Sequence, residues 1–297
     1  MTKGLSETGW RVIGSTRRLG ASPPGWPSEA DLIELDPLDS PDTLARRLGG
    51  ADVVVHLAAA NELRSATDPD ASLTETASGT RHVLEASIRA GVSRFIFFST
   101  IHVYGAPLSG GISEDRIPRP SHPYAISHMA GEAFVLAARD AGRIDGIVVR
   151  LSNAIGAPAW FEVDRWALLG NDLARQAMTD GQIVLRTPYQ WRDFIAMEDV
   201  CRGVDILCQA GRGSAPGIVN LGSGRAVQVH QIAARIARLA ERRLGRAVTI
   251  EPFIEGRAEP APFQLSIDRM RELGFAPSAD NELDMELDQT LALLSRN

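Results

Sequence analysis

Asp52-Val53-Val54-Val55-His56-Leu57 and Arg94-Phe95-Ile96-Phe97-Phe98-Ser99 decide the fold. Both runs are short, mostly β-branched or aromatic, and lack the strict polar alternation of a strand with one wet face. Such runs are strands buried on both sides, the environment of a parallel sheet covered by helices. Working outward, Trp10-Arg11-Val12-Ile13-Gly14-Ser15, Asp31-Leu32-Ile33-Glu34-Leu35-Asp36 and Gly146-Ile147-Val148-Val149-Arg150-Leu151 read the same way. Between them, Thr80 to Ala90 and Tyr124 to Ala141 carry the helical period, with Val83, Leu84, Ala86, Ser87 and Ala90 on one side of the first. Strand and helix in alternation predict an α/β fold, a doubly wound parallel sheet with right-handed crossovers.

The rhythm breaks near Ala159. Aromatic and charged residues from Trp160 to Trp166, a helix around Asp172–Thr179, and prolines at Pro252 and Pro260–Pro262 follow. These features divide the chain into a first domain over 1–158 and a smaller C-terminal substrate domain over 159–297, with 192–222 returning to the first. The helix from Val229 to Arg246 carries five arginines, opposed by Ile232, Ile236 and Leu239, and reads as a solvated basic face.

Composition narrows the function. Of 297 residues, 44% are hydrophobic and 23% charged, as in an ordinary globular protein, which excludes disorder and coiled coil. The net charge of -6 repels a phosphate backbone and argues against nucleic acid as a partner. No apolar run is long enough to span a bilayer and none at the start resembles a signal peptide, so a cytoplasmic location without membrane contact is expected. Cys201 and Cys208, on one expected helix, suit neither a disulfide framework nor a thiolate metal site and read as reduced, partly buried thiols.

Five motifs in order carry a resemblance: Asp52-Val53-Val54-Val55-His56-Leu57-Ala58-Ala59, Ser99-Thr100-Ile101-His102-Val103-Tyr104-Gly105, Pro123-Tyr124-Ala125-Ile126-Ser127, Arg192-Asp193-Phe194-Ile195-Ala196-Met197-Glu198-Asp199-Val200 and Val219-Asn220-Leu221-Gly222-Ser223-Gly224. The chain resembles the extended short-chain dehydrogenase/reductases, the NAD-dependent epimerase/dehydratase family acting on nucleotide-activated sugars. The resemblance implies a Rossmann-like sheet and a catalytic pair, Thr100 holding the reacting sugar oxygen and Tyr124 moving its proton. It also implies substrate contacts to the nucleotide diphosphate at Arg192 and Asn153, a task suited to a guanidinium fork. Cofactor contacts fall at Arg17, Asp36, Ala58 and His128. Arg17 follows the strand Trp10–Ser15, where a basic residue prefers a 2′-phosphate, so NADP is favoured over NAD. Asp36 reads equally well as a turn cap. The helices around Thr80–Ala90 and Tyr124–Ala141 are those through which the family forms homodimers.

Two departures stand out. The family's Tyr-x-x-x-Lys is Tyr124-Ala125-Ile126-Ser127-His128 here, and a neutral imidazole lowers a phenol pKa less than a lysine does. Thr76 replaces an Asn common before the Gly79-Thr80 pair. In addition, residues 1–297 contain no opening strand and glycine-rich turn to cradle a pyrophosphate; Lys3 to Gly9 reads as the end of the first helix. Either the chain begins late, or it is short and dinucleotide binding is weakened or lost; His128 and Thr76 favour an altered site. Without the first strand, two central strands face a gap or must pair differently.

His102 lies where sugar dehydratases place acidic groups, which counts against dehydration of the usual kind, and it joins Thr100, Tyr124 and His128 as a catalytic candidate. His102, His122 and His128 could relay a proton, whereas no metal-ligand spacing is present and no metal is expected. His56, His82 and His230 read as structural. Two functions remain: an NAD(P)-dependent epimerase, dehydratase or ketoreductase-type enzyme on a nucleotide sugar with a degenerate cofactor site, or a non-redox binding or regulatory protein on the same fold.

Overall fold

All five runs form parallel strands, with ends moved by up to three residues from those expected. The computed structural model describes residues 1–20, 25–162, 166–251 and 261–295. In chain order its strands are β1 (Ile13–Thr16), β2 (Asp31–Glu34), β3 (Val53–His56), β4 (Arg94–Thr100), β5 (Gly110–Ile112), β6 (Asp145–Leu151), β7 (Asn153–Ile155), β8 (Gln182–Ile183), β9 (Trp191–Ala196), β10 (Ile218–Leu221), β11 (Ala226–Gln228), β12 (Thr249–Ile250) and β13 (Phe263–Leu265).

The main sheet has the order β10-β6-β4-β3, parallel throughout, with Arg94–Thr100 of β4 opposite Asp145–Leu151 of β6. Among the described residues β1 pairs only with β2. The sheet is therefore in two pieces, and β1 and β3 each keep one edge with no backbone partner among the described residues. What joins the pieces is the core: Ile33 of β2 and Leu35 just after it pack in one cluster with Leu44, Val54, Phe95, Phe97 and Val148. Apolar contact is non-directional, so the two pieces can share a core without sharing hydrogen bonds.

The helix Pro123–Asp140 lies on β4 at close range because Gly131 has no side chain; a Cβ there would stand 2.8 Å from the Phe97 ring. At the opposite end of β4, Asp145 receives hydrogen bonds from Arg94 and Arg139. Arg94 also donates to the carbonyls of Leu207, Cys208 and Gly211 where the helix Met197–Gln209 ends. Cys201 and Cys208 are both free, on that helix.

A second sheet, β11-β9-β7, packs on the helices Leu169–Thr179, Val229–Leu244 and Asp280–Leu294 around a separate core. Here one expectation is corrected. The arginine-bearing face of Val229–Leu244 is not simply solvated, since Arg235 pairs with Asp284 and Arg243 with Asp288 on the last helix. Sequence periodicity could place those arginines on one face but could not show the acidic helix that covers part of it. Among the described residues, no helix is long and apolar enough to cross a membrane.

Hydrogen exchange tests the divided sheet. The alternate amides of β3 that point away from β4 should exchange at least about tenfold faster than those of Phe95–Phe98, which lie between two paired neighbours. Equal protection would mean that β3 has a partner on its other edge in solution.

Candidate active site

Thr100 ends β4, where the C-terminal edges of parallel strands collect ligands. The chain then turns through a 3-10 helix, Ile101–Tyr104, and Thr100 Oγ1 caps it by accepting the backbone N–H of His102 at 3.2 Å. With that lone pair used, the hydroxyl proton of this buried residue remains available to a substrate oxygen. Gly105 follows with φ 99°, and a Cβ there would lie 2.8 Å from the Arg119 carbonyl oxygen. Only glycine lets the chain turn at this point.

Tyr124 occupies the first turn of Pro123–Asp140. Pro123 opens the helix and His122 caps it, its Nδ1 accepting the N–H of Ala125 at 3.4 Å. Four residues on, the His128 ring lies 4.3 Å from the Tyr124 ring, centroid to centroid. His128 Nδ1 is 2.8 Å from the Tyr124 carbonyl oxygen. A carbonyl can only accept, so Nδ1 carries the proton and Nε2 presents a lone pair. His128 is 3% exposed, and burial pushes its pKa down to about 4, which keeps it neutral at pH 7.

The rings form a continuous series. His102 and His122 are 5.6 Å apart, His122 stacks on Tyr124 at 6.0 Å, and His128 stacks on Phe97 at 6.1 Å. Phe97 in turn stacks on His56 at 5.9 Å. His56, expected to be structural, is buried in the strand layer, and its Nε2 has no hydrogen-bond partner among the described residues. Burial first, and the neighbouring His128 second, bring its pKa down to about 4. His102 is lowered to about 4 as well, by burial, then by Arg192, and then by the other imidazoles.

Beside this series opens a cavity of about 320 Å³. That is within the range of small-molecule sites. His102, Asn153 and Arg192, predicted from separate parts of the sequence, meet on its wall, joined by Gln190, Trp191 and Phe263. Arg192 donates to Asn153 Oδ1 at 3.0 Å and to Gln190 Oε1 at 3.2 Å, while its Nε has no partner and no carboxylate pairs with it among the described residues. Burial, partly offset by the charge of Glu62, lowers its pKa. Asn153 is turned toward Arg192 because its Nδ2 donates to the Asp193 carbonyl at 2.9 Å. Asp193 itself faces away from the cavity and accepts from Ser223 and Arg225, tying β9 to the loop between β10 and β11.

Arg17, Asp36 and Ala58 lie elsewhere, just past the ends of β1, β2 and β3 and outside this cavity. Asp36 Oδ1 accepts the N–H of Leu38 at 2.9 Å, as a turn cap does. Thr76 is buried in a π-helical stretch, Leu73–Ser78, and its hydroxyl accepts the N–H of Ala60 at 3.0 Å, holding the loop after β3. Among the described residues no cluster of His, Cys, Asp and Glu has the arrangement of a metal site.

Sequence reading missed His122 as a cap, since histidine is an unusual cap, and it missed Gln190, Trp191 and Phe263. Only the neighbourhood of Arg192 could have pointed to the first two. Phe263 arrives from β13, which pairs with β5, a contact that no local pattern announces.

The buried imidazoles make stability depend on pH. His56 and His128 stay unprotonated in the folded protein down to about pH 4, whereas the ordinary imidazole value is 6.5. The unfolded chain thus binds more protons between those values, so stability is greatest above about pH 6.5 and is lost as pH falls toward 4. Urea unfolding should show a loss of about 2 kcal/mol per imidazole between pH 7 and pH 5. His56→Gln should remove its share, and unchanged pH dependence in that variant would show that His56 is not held neutral.

Comparison with known proteins agrees with this geometry. Residues 1–222 match the model of the NAD dependent epimerase/dehydratase family. A dTDP-glucose 4,6-dehydratase of Streptomyces griseus is 29% identical over 286 residues, covering 86% of this chain and 84% of that protein. A UDP-glucose 4-epimerase of Rhizobium meliloti is 29% identical over 251 residues, covering 78% and 71% respectively. Among solved structures, MoeE5 in complex with UDP-glucuronic acid and NAD superposes with a TM-score of 0.77 at 25% identity, over 99% of this chain and 94% of that one. With its parallel sheet, its Thr100 and Tyr124 at one sheet edge and three quarters of its length matched, the chain belongs to the NAD-dependent epimerase/dehydratase family.

Proposed function

We propose that the cavity binds a nucleoside-diphosphate sugar and that the protein acts on it as an epimerase, dehydratase or ketoreductase-type enzyme using a nicotinamide cofactor. The observation that carries this reading is Arg192, a largely buried guanidinium with a free Nε and no carboxylate partner among the described residues. Leaving a charge in that state is costly unless an anion completes it. A diphosphate matches the guanidinium fork. The Thr100 hydroxyl then donates to the oxygen on the reacting sugar carbon, and Tyr124 exchanges a proton with the same oxygen. His128 orients the start of that helix through its bond to the Tyr124 carbonyl and offers Nε2 as an acceptor. It brings no positive charge, so it helps to ionise a phenol less than a lysine would.

The cofactor fits in part. Arg17, Asp36 and Ala58 stand where an adenosine could be held, with the exposed Arg17 favouring a 2′-phosphate, and His128 Nε2 can accept from a ribose hydroxyl. A glycine-rich pyrophosphate cradle is not among residues 1–297. When bound, a nicotinamide would supply or accept hydride. For residues 1–297 alone we expect affinity for NAD or NADP weaker than low micromolar; tight binding by calorimetry would show that other backbone replaces the cradle. The neutral His128 and the divided sheet also support a second reading, a non-redox protein that keeps only the nucleotide-sugar pocket.

Calorimetry with UDP- and dTDP-sugars tests the shared part of both readings. Arg192→Ala should weaken binding about 10- to 150-fold, the worth of a charge-assisted hydrogen bond of about 1.5–3 kcal/mol. Arg238→Ala, outside the cavity, should leave it unchanged. Equal binding by wild type and Arg192→Ala would withdraw the diphosphate site. Turnover with an added nicotinamide then separates enzyme from binding protein.

The partner proposed is a second copy of the chain. Ile126 and Phe134 on the helix Pro123–Asp140 and Leu73 nearby are large apolar side chains left 40–48% exposed. Phe134→Glu should convert a dimer to a monomer in sedimentation, and a wild-type monomer would refute the contact.

A further inference from the structure

A histidine holds the start of the helix that carries Tyr124. His122 has the extended backbone of an N-cap, with φ -148° and ψ 157°, and Pro123 follows it as the first helical residue. Proline brings no N–H, and Ile126 donates to the His122 carbonyl at 3.1 Å. The Ala125 N–H goes to the His122 side chain, whose Nδ1 accepts it at 3.4 Å. An accepting Nδ1 is an unprotonated nitrogen, so this cap exists only while the ring is neutral with its proton on Nε2. The same ring stacks on Tyr124 at 6.0 Å, with 14° between the planes, and meets His102 edge-on at 5.6 Å. From these contacts we infer that His122 is a positioning residue for Tyr124, and that its protonation releases the first helical turn, so that the placement of the phenol depends on pH. The cap is independent of the nucleotide-sugar reading; only what Tyr124 does once placed rests on it.

The direction of the effect follows from the donors. Protonation places a hydrogen on Nδ1 facing the hydrogen of the Ala125 N–H, and two donors repel where a donor and an acceptor were joined. The new charge also stands at the N-terminus of an 18-residue helix, the end that favours anions, and the first turn holds no acidic residue to offset it. The cap is therefore present at high pH and lost as pH falls. The titratable groups that face His122 are His102 from the 3-10 helix and Tyr124 and His128 from its own helix, with Arg192 on β9 beyond His102. Burial keeps His102 and His128 neutral down to about pH 4. Neither takes up its proton over the range, about pH 8 to 5, in which imidazoles as a class change charge.

Amide exchange by NMR on the full chain without ligand, with Ala125 read against the mid-helix amide of Val135, tests the cap. Across that pH range the wild-type Ala125 amide should lose protection by about 2- to 30-fold, the worth of an N-cap. His122→Asn, whose Oδ1 takes the place of Nδ1 and does not titrate, should keep its protection, and His122→Ala should be low throughout. Carbon-13 relaxation of the Tyr124 ring, assigned among the chain's three tyrosines with Tyr124→Phe, tests the positioning. Its mobility should rise at low pH in the wild type, be high throughout in His122→Ala and stay low in His122→Asn. Equal Ala125 protection in wild type and His122→Ala at high pH would overturn the inference. So would a parallel loss in His122→Asn, since another group would then be titrating. Lost protection at Ala125 with an unchanged Tyr124 ring would remove the positioning role and overturn it as well. If His122→Ala does not fold, wild type against His122→Asn decides. No ligand enters these measurements, so their outcome is separate from that of calorimetry with nucleotide sugars.

Discussion

The buried ion pair between Glu132 and Arg150 is the constraint on which the site depends. Glu132 is fully buried on the helix that begins with Tyr124, and Arg150 is 2% exposed on β6. The pair is bidentate, with N···O distances from 2.6 to 3.2 Å, and Glu132 also accepts the Ser99 hydroxyl at 2.5 Å. Three elements are thereby joined: the helix of Tyr124 and His128, the strand that ends in Thr100, and the neighbouring strand. Burying two charges costs several kcal/mol each, and well-packed apolar residues would hold these elements at least as firmly. What the pair adds is direction, because a fork on a carboxylate permits one rotation and one height of the helix over the sheet.

The constraint extends further through Arg150. Its guanidinium lies 4.7 Å from the centre of the Tyr104 ring, and the Tyr104 hydroxyl donates to Asn220 Oδ1 at 2.7 Å. Asn220 is held by Glu114 through its backbone and donates to the Ser266 carbonyl. The turn after Thr100, the strand β10 and the segment beside β13 are therefore referenced to the same buried charge. Phe263 on β13 and Leu108, just past that turn, both line the cavity, so its wall is shaped by residues far apart in sequence. Gly131 completes the arrangement by letting the helix come close enough for the pair to form.

Against this half stands the one that carries Arg17 and Asp36, where, among the described residues, the two sheet pieces share a core but no backbone hydrogen bonds. Hydrogen bonds fix register and spacing between strands, and apolar contact fixes only proximity. The ends of β1 and β2, where Arg17 and Asp36 lie, are thus less tightly referenced to Tyr124 than Arg192 is. The imidazoles sharpen the contrast. His56, His102 and His128 are all held neutral by burial, so the charge on the cavity wall comes from Arg192 and not from an imidazole.

The sequence by itself determined the parallel strands, the helices between them and the positions of Thr100, Tyr124, His128, Asn153 and Arg192, because each is written in local patterning or in short ordered motifs. Apolar runs without alternation predicted buried parallel strands, which holds for β4 and β6, whereas β1 and β2 are parallel but carry no buried residue; i, i+4 spacing put His128 against Tyr124. It also led to the expectation of a gap in the sheet, and among the described residues no strand lies between β1 and β3. Tertiary structure decided what those residues do. That Arg192 has no carboxylate partner among the described residues, that Asn153 serves to aim it, and that Arg235 and Arg243 are paired all depend on contacts between distant segments. Local sequence carries propensity and periodicity; the partner of a charge is set by which surfaces pack together, and packing is a property of the whole chain.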